Sequence, residues 1–244
     1  MDENIAEQSI DLELAFREEC REFLGICLRV KPGVLIPRKE TELLARTAIE
    51  VLKEMAVGKS NPTGPRVRSL RVIDMCCGAG NLACSIATFV PEARVWGADL
   101  AREAVNLTVE NSKCLGLSDS VEVYQSNLFS SLPYELLGGL VDVIVCNPPY
   151  ISSGKLEREL ASLCRIEPRE AFDGGPYGFR IHEQVSKEAP RWLKPQGMLL
   201  FEFGQGQERQ VKFILERTKL YREIHFISDL RGQPRVVMAR TAER

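Results

Sequence analysis

The sequence predicts an α/β fold: a mostly parallel seven-stranded sheet closed at its C-terminal end by an antiparallel hairpin. Three observations carry that expectation. From about residue 66 onward, short β-branched runs alternate with helix-length amphipathic stretches, the pattern of a parallel sheet covered on both faces. One of these runs, Val141-Asp142-Val143-Ile144-Val145-Cys146, is apolar enough for burial on both faces and is stopped by Pro148, which has no ladder donor. The final two runs, residues 223–227 and 235–240, are joined by seven residues that include Gly232 and Pro234. That connection is too short for a parallel crossover, so the two strands pair antiparallel.

Taken in order, residues 10–24 place Leu12, Phe16, Cys20, Phe23 and Leu24 at helical spacing among glutamates and arginines, which predicts an amphipathic helix. Residues 1–33 are read as a short helical extension. Val34-Leu35-Ile36 is strand-like and ends at Pro37; a helix follows with Leu44, Ala48, Val51, Leu52 and Met55 along one face. The breaker-rich loop 58–65 closes this connecting segment, 34–65, and the main domain is expected over 66–244. Its first strand, 71–74, leads through Met75-Cys76-Cys77-Gly78-Ala79-Gly80 into a helix from about Asn81. The second, 94–99, ends in Asp99 before a helix near Ala101; the third, 121–124, runs on to Asn127-Leu128-Phe129; the fourth is 141–146. A polar stretch and a long loop over 165–176 follow, the loop long enough to cover a site. A helix over 182–193, a fifth strand over 197–203 and a helix over 207–219 precede the hairpin.

The candidate site lies at strand ends, the ligand edge of an open α/β sheet. Asn147 offers a side-chain carbonyl and Pro148 a backbone carbonyl, with few local donors to occupy them because prolines supply no N–H. Two adjacent acceptors suit a planar group with two N–H donors, an –NH2 on an sp² carbon, against which Tyr150 can lie flat. Read alone, Asn-Pro-Pro is as well explained by a turn after a strand. The glycine loop 76–80 lets a ligand approach bare backbone at a helix N-terminus. Asp99, 25 residues beyond Asp74, stands either where such folds hold a ribose diol or as a cap on the next helix.

Composition narrows the classes. With 244 residues and 44% apolar content, one full α/β domain can fill its core. Lys plus Arg number 32 against 34 Asp plus Glu, a net charge of -2, so direct nucleic-acid binding is not expected. No apolar run approaches a membrane span and the N-terminus is acidic where a signal peptide is basic, so a cytoplasmic protein is expected. The eight cysteines include no C-x-x-C pair and lie far in sequence from His182 and His225. They are expected to be free, small apolar residues, with no metal site.

Several segments together resemble one family, the protein-(glutamine-N5) methyltransferases of peptide-chain release factors, the HemK/PrmC group. Leu35-Ile36-Pro37-Arg38-Lys39-Glu40-Thr41-Glu42 is similar to its L-I-P-R-P-E-T-E segment, and Asp74 to Gly80 to its D-x-G-T-G-S-G loop. Asn147-Pro148-Pro149-Tyr150 matches its substrate motif, followed in order by Glu167-Pro168-Arg169, Asp173-Gly174-Gly175 and Glu202-Phe203-Gly204-Gln205-Gly206-Gln207. The resemblance implies a class I methyltransferase fold and S-adenosylmethionine as methyl donor. Asp99 with Leu100 would meet the ribose, and Asn127 with Leu128 the adenine. Asp74, Cys76, Cys77, Gly78, Ala79 and Gly80 would form the bed of the methionine part; Asn147 would touch both donor and acceptor, and Pro148, Pro149 and Tyr150 would hold the acceptor with it. The implied substrate is a glutamine side-chain amide on a protein such as a release factor; the alternatives are a small-molecule amide, amine or hydrazine-type nitrogen, then adenine in nucleic acid, or a binding-only homologue. Cys76 replaces the family's first loop glycine, Asn127 its common aspartate and Lys39 its proline. Only about 33 residues precede the Ile-Pro-Arg segment, where family members carry a docking domain of several helices.

Overall fold

The structure, a computed structural model, describes residues 18–57, 70–159, 164 and 167–242. In chain order the strands are β1 (Cys20–Phe23), β2 (Ile26–Arg29), β3 (Leu70–Met75), β4 (Ala93–Asp99), β5 (Val121–Gln125), β6 (Val141–Cys146), β7 (Leu193–Glu202), β8 (Tyr221–Ser228) and β9 (Pro234–Thr241). The helices are α1 (Glu42–Val57), α2 (Asn81–Phe89), α3 (Arg102–Cys114), α4 (Tyr134–Leu137), α5 (Ser153–Glu159), α6 (Arg180–Glu188) and α7 (Glu208–Thr218).

Strands β3 to β9 form one sheet in the order β5-β4-β3-β6-β7-β9-β8, with β9 antiparallel to both neighbours and every other pairing parallel. This is the class I methyltransferase architecture expected from the sequence. All six residues of β6 are buried, as a strand sandwiched between two helical layers must be. Alternate residues feed two cores. Val72, Val95, Val143, Val145 and Leu200 meet α1, α2 and the β1–β2 hairpin, while Ile73, Trp96, Ile144, Leu199 and Phe201 meet α6 and α7. Each fully buried side chain of this kind contributes roughly 1.5–3 kcal/mol relative to exposure.

Four expectations need correction. Residues 10–17 of the helix expected over 10–24 lie outside the described residues, but residues 20–29 form an antiparallel hairpin. Leu24 and Gly25 both adopt positive φ (53° and 80°), the geometry of a tight two-residue hairpin turn. Period-two burial of Ile26, Leu28 and Val30 then packs it on the main core. The hairpin also overturns the reading of all cysteines as free: Cys20 and Cys27 are disulfide-bonded, their Cα atoms 6.1 Å apart. The register pairs Cys27 with Glu22, which places Cys20 diagonally on the same face. Val34 lies in a bend and Leu35-Ile36 join no ladder; instead the Ile36 N–H donates to Glu167 Oε1 at 2.8 Å. The helix expected to reach residue 193 ends at Glu188, followed by a 3-10 turn over Ala189–Arg191, and Leu193 already belongs to β7. Pro190 accounts for that stop, since it cannot donate the helical hydrogen bond. Among the described residues no helix is long and apolar enough to cross a membrane.

Candidate active site

Chain order reverses across the sheet between β3 and β6, so the crevice beyond their carboxyl ends is the natural ligand position. The parallel register pairs Met75 with Cys146. The next residues, Cys76 and Asn147, therefore leave adjacent strands side by side, and the glycine loop and the Asn-Pro-Pro-Tyr segment meet without any long-range coincidence. A cavity of about 720 Å³ opens there.

Of the residues singled out in the sequence, Cys76, Gly78, Asp99, Leu100, Asn127, Leu128, Asn147 and Pro149 line this cavity, which is closed on its far side by the 168–176 segment and Arg180. Asp74, Cys77, Ala79, Gly80, Pro148 and Tyr150 do not line it. Asp74 is fully buried and accepts the Ala83 N–H at 2.9 Å, so it pins the first turn of α2 from beneath. Burial raises its carboxyl from 3.8 to about 8, against the Ala83 hydrogen bond. The Cys77 thiol packs against Thr108 Oγ1, and desolvation holds it well above its ordinary 9.0, which leaves it protonated and non-nucleophilic. Gly80, at φ +81°, starts α2 where an added Cβ would lie 2.8 Å from Thr108 Cγ2. An added Cβ at Gly78 would meet nothing within 4 Å, so the loop turns an open concave backbone toward the cavity.

Asp99 reaches back to the glycine loop and forward to the residue before α3, while α3 itself carries no side-chain cap, which corrects the reading of Asp99 as a helix cap. Its Oδ2 accepts the Gly78 N–H at 2.9 Å, and its Oδ1 accepts the Ala101 N–H at 3.0 Å ahead of α3. Yet it stays part-exposed on the cavity wall, where a carboxylate's remaining lone pairs suit a vicinal diol. Desolvation raises its pKa, opposed by these backbone donors. The residues present thus fit the donor that the resemblance implies: a diol at Asp99, a flat group beside Leu128 and an extended chain over Gly78. Among the described residues no group of three or more His, Cys, Asp or Glu is placed to hold a metal ion.

The substrate side is built from contacts remote in sequence. Asn147 Nδ2 donates to Thr41 Oγ1 at 3.1 Å. The Thr41 hydroxyl in turn stabilises the charge of Glu202, a residue 1% exposed at the end of β7. Desolvation nonetheless lifts Glu202 from 4.5 to about 7, with Arg235 opposing that rise. The Tyr150 hydroxyl lies 3.3 Å from Glu202 Oε1, and the Arg235 guanidinium sits 3.7 Å from the same oxygen and over the Tyr150 ring. Tyr150 is therefore tied to the end of the sheet instead of lying across the cavity.

Two further contacts hold the Asn-Pro-Pro-Tyr backbone, and a third holds the Ile-Pro-Arg segment. Gln207 Nε2 donates to the Tyr150 carbonyl at 2.8 Å while its Oε1 accepts the Gly204 N–H at 2.7 Å. Gly174 and Gly178 pack so closely that added Cβ atoms would fall 2.7 Å from the Pro149 oxygen and 2.5 Å from the Tyr150 oxygen. Buried Glu167 receives the Ile36 N–H and pairs with the Arg38 guanidinium, locking the Ile-Pro-Arg segment under the 168–176 loop. The sequence marked these segments by resemblance but not the partners Thr41, Glu167, Glu202 and Gln207 select. The separations of 106 residues for Asn147–Thr41 and 131 for Ile36–Glu167 leave no local signal.

Comparison with known proteins bears on the family and the fold. A family model described as methyltransferase small domain matches residues 62–164. The release factor glutamine methyltransferase of Rhodopirellula baltica is 33% identical over 222 residues, 91% of this chain and 71% of the relative. The enzyme of that description from Moorella thermoacetica is 32% identical over 219 residues, 90% and 71% of the two chains, and that from Fusobacterium nucleatum 31% over 221 residues, 91% and 58%. Among solved structures, a methyltransferase from Pyrococcus furiosus superposes with a TM-score of 0.61 at 14% identity, covering 96% of this chain and 98% of that one. The N-terminal domain of human METTL16, in complex with SAH, gives 0.56 at 17%, covering 92% and 78%. These two likenesses are of fold.

Proposed function

The chain belongs to the release factor glutamine methyltransferase family, and from that membership we propose that it methylates the side-chain amide nitrogen of a glutamine on a peptide-chain release factor, with S-adenosylmethionine as donor. The observation that carries this reading is the β3–β6 register, which sets the donor loop and Asn147 next to each other on one cavity wall.

Asp99, the loop 76–80 and Leu128 would hold the donor. When bound, it supplies a methyl group already activated on a positively charged sulfur. The acceptor is the harder partner, because an amide nitrogen's lone pair is delocalised into its carbonyl. Asn147 Oδ1 and the Pro148 carbonyl would each accept one N–H. That arrangement orients the nitrogen and favours the positive charge developing on it. The 168–176 segment walls the cavity and limits water at the reacting atoms.

The test is tandem mass spectrometry of a release factor and of a Gly-Gly-Gln peptide after incubation with donor and protein. One methyl group on the glutamine nitrogen is the expected product. Methylation of small amines with no product on the release factor would overturn the protein substrate, and donor binding without any transfer would overturn the enzymatic reading.

A further inference from the structure

We propose that Asn111 is a positioning residue for the methyl donor: its buried carboxamide holds the donor loop and the β1–β2 hairpin in one arrangement, which makes the hairpin and the segment after it part of the donor site. This rests on the reading of the cavity as the place where the donor binds. The loop needs such support. Cys76, Gly78 and Gly80 all adopt positive φ (60°, 56° and 81°), so the backbone between β3 and α2 repeats no regular structure and its carbonyls have no ladder to join. Side chains of α3 take two of them. Thr108 Oγ1 donates to the Gly78 carbonyl at 2.9 Å, and Asn111 Nδ2, one turn further on, donates to the Ala79 carbonyl at 2.8 Å. Thr108 is fully buried and Asn111 is 1% exposed, so water does not substitute for either contact.

Asn111 directs the rest of its hydrogen-bonding capacity to the hairpin. Nδ2 also donates to the Arg29 carbonyl at 3.1 Å, and Oδ1 accepts the Arg29 N–H at 2.8 Å, as a residue of a paired strand would. All of these partners are backbone groups with fixed roles, two acceptors and one donor. The carboxamide therefore has one orientation, because a half-turn would set its oxygen against two carbonyls. Beyond Arg29 the chain runs into Gly33, Val34 and Leu35, which line the cavity, and Val34 packs with Ala79, Ala104 and Leu107. The hairpin is thus held to the donor loop twice, through Asn111 at the end of β2 and through Val34 at the cavity wall. The Arg29–Glu110 ion pair beside Asn111 is solvent-exposed and adds little. Asparagine is a poor helix former in a helix interior. Its place on α3 is explained by the contacts it makes 82 residues away at Arg29 and 32 residues away at Ala79.

Asn111→Ala removes all of these bonds; Asn111→Asp keeps the acceptor for Arg29 but turns an oxygen on both carbonyls. Either change should lower the melting temperature whether the role is positional or only structural, so the deciding readouts are binding and kinetics. The KM and calorimetric Kd for S-adenosylmethionine should rise at least about tenfold, the equivalent of one lost hydrogen bond, and further in Asn111→Asp than in Asn111→Ala. At saturating donor, kcat and the KM for release factor should stay within about threefold of the wild type. Donor KM and Kd within about twofold of the wild type in both variants, or a fall in kcat with donor KM unchanged, overturns the proposal. Should neither variant fold, amide hydrogen exchange on the wild type decides. S-adenosylhomocysteine should slow exchange at Arg29 at least about fivefold more than in the β8–β9 pairing, and equal slowing overturns the proposal. No heat of binding with either ligand in the wild type overturns instead the donor reading on which the proposal rests.

Discussion

Cys76 holds φ +60°, a left-handed backbone that costs a non-glycine residue about 1–2 kcal/mol. Glycine at this position relieves the strain but loses about 0.5–1 kcal/mol to greater freedom in the unfolded chain, so Cys76→Gly should stabilise by at most about 1.5 kcal/mol in urea denaturation. The double change Cys76→Gly with Cys77→Thr should keep methyl transfer; its loss with donor binding intact would point to a reacting thiol. Glu202 makes a second residue-scale prediction. Its carboxyl moves from 4.5 in the open chain to about 7 in the fold, through desolvation, and Asp74 moves from 3.8 to about 8 in the same sense. A raised acid favours the folded state fully below its unfolded value, and that contribution is lost as pH rises through the folded one. His182 runs the other way in a lower window, from 6.5 to about 4, because burial opposes its charge, so it weakens the fold as pH falls below 6.5. Stability should therefore decline between about pH 4 and 8, most steeply near pH 6.5–7 where His182 no longer opposes it, and Glu202→Gln should flatten the part below about pH 7, leaving the part due to Asp74. Denaturant midpoints across the range measure both; an unchanged slope in Glu202→Gln would show that this carboxyl is already ionised.

At the scale of elements, the 172–178 loop is shaped by what it lies against. The neighbours an extra Cβ would strike at Gly174 and Gly178 are backbone atoms of Pro149, Tyr150 and the loop itself, and these cannot swing aside as side-chain tips can. Gly174→Ala should cost about 1–3 kcal/mol and displace the Asn-Pro-Pro-Tyr backbone, lowering kcat along with the melting temperature. A variant that melts early yet turns over normally would uncouple loop from site. The same elements show what a sequence can disclose. The seven strands of the main sheet were legible because β-branched runs bounded by glycine or proline have few other uses, and 141–146 with its proline stop was the clearest. The β1–β2 hairpin was not. Phe16, Cys20 and Leu24 mimic helical spacing, and the alternation of Ile26, Leu28 and Val30 acquires meaning only once Leu24-Gly25 turns. Gln207, Glu167 and Thr41 fell outside local reasoning for a different reason, since each acts on backbone or side chain from a distant segment.

Over the whole molecule, the sheet order brings together at one edge loops that the chain separates by about seventy residues, and a ligand seated there ties both halves of the fold. Donor binding should therefore stabilise the whole domain, by about 2.7 kcal/mol at a hundredfold excess over its dissociation constant. Asp99→Ala should remove most of that thermal shift by weakening donor affinity about 1.5–3 kcal/mol. Calorimetry on the wild type provides the baseline, and absence of a donor-dependent shift would contradict the assignment of the cavity. The most direct test is turnover of Asn147 variants on release factor, with donor affinity and melting as controls. Asn147→Ala should bind donor and melt like the wild type but transfer methyl about 10²–10³ times more slowly, the loss typical of one well-placed polar contact in a transition state. Asn147→Asp, which keeps an acceptor but adds charge, should also be impaired on a neutral amide. If Asn147→Ala methylates at the wild-type rate, the segment after β6 is only a turn and the transfer site lies elsewhere.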